Sequence, residues 1–176
     1  MMLFFPLLLV KFPSRKMVAV LLLIAIGLIP LAWNRLWVFA DPYRLWNEAA
    51  LLLQNKNVSG SDRIYYNRGN AELSVKKWDE AVLDYQRVIS HNPKIAEAYA
   101  NLGVAYFGLK RYQDAIKEFN NAIKLNPNYA QAYFNKGLAY KRLHNEVAAL
   151  EQINKSCELG NQMGCVIVAY DQAQKK

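Results

Sequence analysis

Residues 100–129 read ANLGVAYFGLKRYQDAIKEFNNAIKLNPNY. Extended back to 96, the stretch splits into two runs of helical periodicity. The first puts Tyr99, Leu102, Tyr106 and Leu109 on one face at steps of three and four; the second does the same with Ala115, Ile116, Phe119, Ala122 and Ile123. The spacing predicts helices over 96–109 and 112–125, joined by a short turn at Lys110-Arg111. Asn126-Pro127 ends the second helix, because proline lacks the N–H the preceding turn needs and its ring clashes with that turn. Gly103 and Ala115 are small where the two helices would cross.

The same landmarks recur 34 residues away in both directions. Tyr65, Tyr99 and Tyr133 share the step, as do Asn67, Asn101 and Asn135; Gly69, Gly103 and Gly137; Ala71, Ala105 and Ala139; and Ala81, Ala115 and Ala149. Asn92-Pro93 matches Asn126-Pro127, and Tyr85, Phe119 and Ile153 form a further column. An aromatic, Gly, Ala, aromatic and Pro at these offsets resemble the tetratricopeptide repeat, over residues 62–161. The resemblance implies an all-α helix-turn-helix solenoid of three units, 62–95, 96–129 and 130–161. One such unit cannot bury its apolar face alone, so neighbours must stack and the ends need caps. Residues 41–57 supply a half-repeat helix, with Asp41 as N-cap, Pro42 at the first helical position, and Leu45, Ala49 and Leu52 on one face. Residues 162–176 supply a last helix that starts apolar and ends polar.

The first 40 residues have another character. They hold four of the 22 basic residues (Lys11, Arg15, Lys16 and Arg35) and none of the 14 acids, hence half of the formal +8. The uncharged run from Met17 to Trp33, continued to Phe39, is long enough to cross ~30 Å of hydrocarbon. Trp33 and Trp37 suit its interfacial end. We therefore expect a short cytoplasmic segment at 1–16, a transmembrane anchor at 17–39, and the repeats outside, periplasmic or lumenal, by the positive-inside bias. The rival is a signal peptide cleaved before Asp41, with Val38-Phe39-Ala40 as its small-residue site; the apolar run exceeds the usual 7–15-residue core and thus favours the anchor. The rest of the chain carries a mild basic excess with no basic stripe among exposed aromatics, which argues against nucleic-acid binding.

The third unit departs from the pattern: Asn161 stands where proline is expected, within CELGNQMGC (157–165). This phrase resembles Sel1-like repeats, and the resemblance implies a disulfide between Cys157 and Cys165 if this part of the chain is exported. The alternative is two small buried thiols. Two cysteines with no His-rich cluster lack the ligands of a zinc site.

No nucleophile elbow, phosphate loop or metalloprotease motif is present, and His91 and His144 lack partners at ligand spacing. We expect no catalysis, no metal or cofactor and no small-molecule substrate. The groove is more informative. Tetratricopeptide repeats line a concave face with their first helices. The resemblance puts Asn67, Asn101 and Asn135 there as a row of amides similar to that of the superhelix in O-linked N-acetylglucosamine transferase. An amide both donates and accepts, so such a row suits an extended peptide backbone; the alternative is that these residues cap local turns or face solvent. Tyr66, Asn70, Leu73, Val104, Phe107, Phe134 and Leu138 would add contact. The charged clamp of chaperone-binding relatives is incomplete: Tyr66 and Gln131 stand in place of lysines, and Asn135 in place of an arginine.

The expected function is a membrane-anchored protein-interaction module, a scaffold or assembly factor holding a segment of a partner protein. The junction RLWVFADPYRLWNEAA (35–50) also resembles the last span and tail of glycosyltransferase-C membrane proteins, relatives of protein O-mannosyltransferases. That resemblance implies a non-catalytic substrate-binding tail. A single-span anchor with three repeats also resembles a photosystem I assembly factor.

Overall fold

The computed structural model describes residues 40–53 and 60–174. Eight helices and no strand occur among them: α1 Pro42–Leu52, α2 Ser61–Ser74, α3 Trp78–His91, α4 Ala96–Gly108, α5 Tyr112–Leu125, α6 Ala130–Arg142, α7 Glu146–Glu158 and α8 Gln162–Gln174. Helices α2 to α7 are the six helices of the three units, and the described residues from 42 onward form one compact unit. The expected cytoplasmic segment at 1–16, the expected anchor at 17–39 and residues 54–59 lie outside the described residues. Among the described residues no helix is long and apolar enough to cross a membrane.

Each intra-unit turn has one chemistry. Lys76, Lys110 and His144, spaced by 34, all sit near φ +60°. This left-handed residue lets the chain reverse while the last carbonyls of the helix are satisfied: Lys77, Arg111 and Asn145 donate their N–H to the carbonyls of Glu72, Tyr106 and Tyr140. The inter-unit turns differ. There Asn92 and Asn126 are extended, and each accepts through its side chain from the N–H two residues on.

Within a unit the glycine column meets the aromatic column. A Cβ built on Gly69 would lie 2.9 Å from Tyr85, one on Gly103 2.6 Å from Phe119, and one on Gly137 2.6 Å from Ile153. Glycine is required at Gly103 for this close approach, since Phe119 is completely buried and cannot retreat. The main core joins α3, α4, α5 and α6 through Tyr85, Leu102, Ala105, Tyr106, Ala115, Phe119 and Ala139. The first helices of adjacent units touch, α2 with α4 and α4 with α6, while the second helices make no comparable contact. The first helices therefore line the inner face of the stack.

The ends depart from expectation. The docking residue of α1 is Ala50, buried with Tyr65, Val88 and Ala98, whereas Leu52, expected on the packed face, is 76% exposed. At the other end, the α7–α8 turn is not an inter-unit turn. Gly160 takes the left-handed conformation, and Asn161 donates its N–H to Ser156, as in the intra-unit turns. Asn161 Oδ1 caps α8 by accepting from Gly164 N–H at 2.8 Å. The result is that α8 folds back on α7 without a comparable contact to α6. Its outward face carries Met163, Val166 and Tyr170, each more than 60% exposed, so it is not the solvating end that the composition suggested.

Candidate functional site

The inner face carries one buried polar network and two clefts. Tyr85 Oη donates to Asn70 Oδ1 at 2.7 Å, and Asn101 Nδ2 donates to the same oxygen at 2.9 Å and toward Tyr66 Oη at 3.4 Å. The network ties α2 and α3 of the first unit to α4 of the second. Tyr85 is fully buried, and burial pushes its phenol far above the usual range; burial also raises the phenol of Tyr66. Asn101 Oδ1 takes no part in these bonds, and the Asn70 side chain also hydrogen-bonds the Tyr66 phenol.

The three asparagines at the 34-residue step thus occupy three different environments. Asn67 is half-buried and lines a cleft of about 300 Å³ with Asp62, Arg63, Tyr66, Val88, Ile95 and Glu97. Asn101 is engaged with Asn70 and Tyr66. Asn135 accepts from Gln131 Nε2 at 3.0 Å, and Gln131 Oε1 accepts from Asn161 at 3.1 Å. None of the three caps a turn. Val104, Phe107, Asn135 and Leu138 surround an apolar pocket of about 80 Å³ floored by Phe119. Leu73 packs into the core from its half-buried position, and Phe134 is only 9% exposed and offers little surface.

A second cleft, about 620 Å³, opens beside that pocket and shares Phe107 and Leu138 with it; Tyr112, Lys141, Arg142, His144 and Glu146 complete its wall. Phe107 is braced edge-on by Tyr112 at 5.3 Å. Sequence reading named Phe107 and Leu138 but missed the rest of this cleft, because its residues come from α4, α5, α6, the turn after α6 and the start of α7. It also missed Tyr85 as the inner anchor of the amide network. The available signal was a hydroxyl in a column where the other units have Phe119 and Ile153.

Cys157 and Cys165 are joined, with Cα atoms 4.6 Å apart, across the α7–α8 turn. No group of three His, Cys, Asp or Glu that could hold a metal occurs among the described residues. His91 is exposed and lies 3.9 Å from Asp62.

Three family models match the chain: a tetratricopeptide repeat over residues 96–129, a TPR repeat over 69–110, and a further tetratricopeptide repeat over 118–151. These residues are tetratricopeptide repeats. Solved structures agree. The first tetratricopeptide domain of Spaghetti (RPAP3), bound to the HSP90 peptide SRMEEVD, is 26% identical with a TM-score of 0.61, covering 68% of this chain and 97% of its own. MamA AMB-1 is also 26% identical with a TM-score of 0.61, covering 73% of each chain. The TPR domain of Arabidopsis OM64, 24% identical with a TM-score of 0.59 over 62% of this chain and 93% of its own, bears on the fold alone. No curated protein matches the chain. None of these matches supports the glycosyltransferase-C or Sel1-like resemblance, so the function has to be argued from the groove of the tetratricopeptide repeats themselves.

Proposed function

We propose that the tetratricopeptide repeats form a protein-interaction module that holds an extended segment of a partner protein along α2, α4 and α6, with no catalysis of its own. The observation that carries this reading is the inner face: the Asn67 amide opens into one cleft, and Asn135 stands at an open apolar pocket with Phe107 and Leu138. Amides at this spacing serve a peptide backbone, and the pocket serves a side chain. The similarity to a repeat domain solved with a bound peptide supports it. The neutral side chains Tyr66, Gln131 and Asn135 replace the cations of the charged clamp, so the segment need not end in a free carboxylate.

Residues 17–39 would anchor this module, with the repeats on the outer side of a cytoplasmic membrane. The bridged Cys157–Cys165 pair supports an oxidising compartment, where such bonds persist. A phosphatase fused after Lys176 should then be active outside the membrane, and the full-length mass should stay in the membrane fraction. A mature N-terminus at Asp41 would replace the anchor by a cleaved signal.

The test of the groove is photo-crosslinking from a probe at Asn67 or Asn135 in native membranes, followed by titration of the captured segment. Alanine at both Asn67 and Asn135 should weaken that segment by about 1–3 kcal/mol with the fold intact, since neither amide bonds to another unit of the repeats and the Gln131 contact of Asn135 lies within its own helix. Unchanged affinity would move the binding site off the inner face.

A further inference from the structure

We infer that the cleft between the second and third units selects an acidic segment: an aliphatic side chain fills the Phe107–Leu138 pocket while neighbouring carboxylates meet Lys141 and Arg142. This rests on the groove reading above and names the kind of partner the groove takes. The first observation is geometric. The apolar pocket of about 80 Å³ and the larger cleft share Phe107 and Leu138, so one continuous surface runs from an apolar floor to a basic wall. The pocket has room for a side chain of valine or leucine size.

The second observation is comparative within the molecule. Helices α2, α4 and α6 are equivalent, and each ends in the same left-handed turn with the same dipole. Cations at a helix C-terminus complement that dipole in general. Yet α2 and α4 have no basic residue in the last turn, ending in Leu73-Ser74 and Phe107-Gly108, whereas α6 ends in Lys141-Arg142. The first two units carry their cations in the turn itself, at Lys76-Lys77 and Lys110-Arg111, where the third has His144-Asn145; in the third unit the basic pair stands three residues earlier, on the wall of the cleft. Both residues are exposed, and neither has an ion pair among the described residues, unlike Arg111, Lys77 and Lys155. Glu146 lines the same cleft and offsets one of the two charges; His144, exposed at the rim, adds a further donor. The net wall is positive, and an incoming carboxylate would find donors that the protein does not use.

The experiment takes the full chain in detergent micelles and an array of capped, amidated peptides in a glycine-serine background. One set carries a leucine and two glutamates at every spacing. Matched sets replace the glutamates by lysines, or the leucine by glycine. Capping removes terminal charges, so any preference comes from side chains. The leucine-glutamate set should be captured about five- to tenfold better than the leucine-lysine set, and 1 M salt should erase the difference. Lys141→Glu with Arg142→Glu should reverse the preference, and the milder Lys141→Gln with Arg142→Gln should abolish it, each with unchanged helical circular dichroism. Leu138→Ala should reduce capture of leucine-containing peptides only. Capture of both charge sets alike would overturn this inference and leave the groove standing. Capture of no set would overturn both. If the glutamine pair instead weakened only binding to phosphatidylglycerol vesicles, leaving peptide capture unchanged, the pair would face a lipid surface and the inference would fall.

Discussion

Glu72 occupies the column in which the second and third units carry Tyr106 and Tyr140. It is 3% exposed, beside Asp84 and Arg68. Arg68 spends its fork on Asp84, with both bonds at 2.6 Å, so Glu72 receives only a 3.6 Å contact and its Oε2 has no hydrogen-bond partner among the described residues. Burial, then the Asp84 charge, push its carboxyl up to about 7, against a partial opposing pull from Arg68. The sign follows: between about 4.5 and about 7 the folded chain binds a proton that the unfolded chain does not. Stability should be greatest below that window, fall as pH rises through it, and level off above, by about 2–3 kcal/mol. Denaturant titrations from pH 4.5 to 8 should show this slope, and Glu72→Gln should flatten it; a slope unchanged in the variant would assign it to other groups. Gly103→Ala tests packing instead. Its Cβ would lie 2.6 Å from the Phe119 ring, and overpacking of this kind costs about 1–3 kcal/mol, read as a lowered melting temperature.

Helix α8 depends on its hinge. Its capping residue Asn161 serves both Gly164 N–H and Gln131, and the Cys157–Cys165 bond closes a short loop across Gly160. In the chain-entropy model such a loop contributes about 2.5 kcal/mol. Alkylation without reductant should label neither cysteine, and Cys157→Ser should lower the melting temperature and speed hydrogen exchange in α8 ahead of α3 to α6. Equal loss in all helices would show the cap to be part of one cooperative unit. The composition of α8 suggested an ordinary polar cap, but helical content alone does not say which face turns outward. That was set by the hinge at Gly160, whose signal was legible: Leu159-Gly160-Asn161 parallels Leu109-Lys110-Arg111 and Leu143-His144-Asn145.

Across the described repeats each helix packs mainly on its neighbours in sequence, with α2–α4 and α4–α6 the main contacts that reach further. Stability in such a stack is close to a sum of unit and interface terms. Exchange protection should therefore peak in α3 to α6, where Tyr85, Phe119 and Ala115 are fully buried, and fall toward α1 and α8, whose outer faces expose Leu52 and Tyr170. A uniform profile would mean that the stack opens only as a whole.

The sequence was enough to establish the helix pairs, the 34-residue unit, the small-residue columns and the row of asparagines. These follow from periodicity, turn chemistry and side-chain size, which act over a few residues and repeat. Tertiary structure alone decided how those asparagines are used. Asn101 meets Asn70 from 31 residues away and Asn135 meets Gln131 on its own helix, so identical residues at identical steps came to differ. It also decided the burial that raises the Glu72 carboxyl and the meeting of Phe107, Leu138 and Lys141 in one cleft. Side-chain partnership and charge state depend on which helices lie side by side and on how much water remains between them, and neither quantity is periodic along the chain.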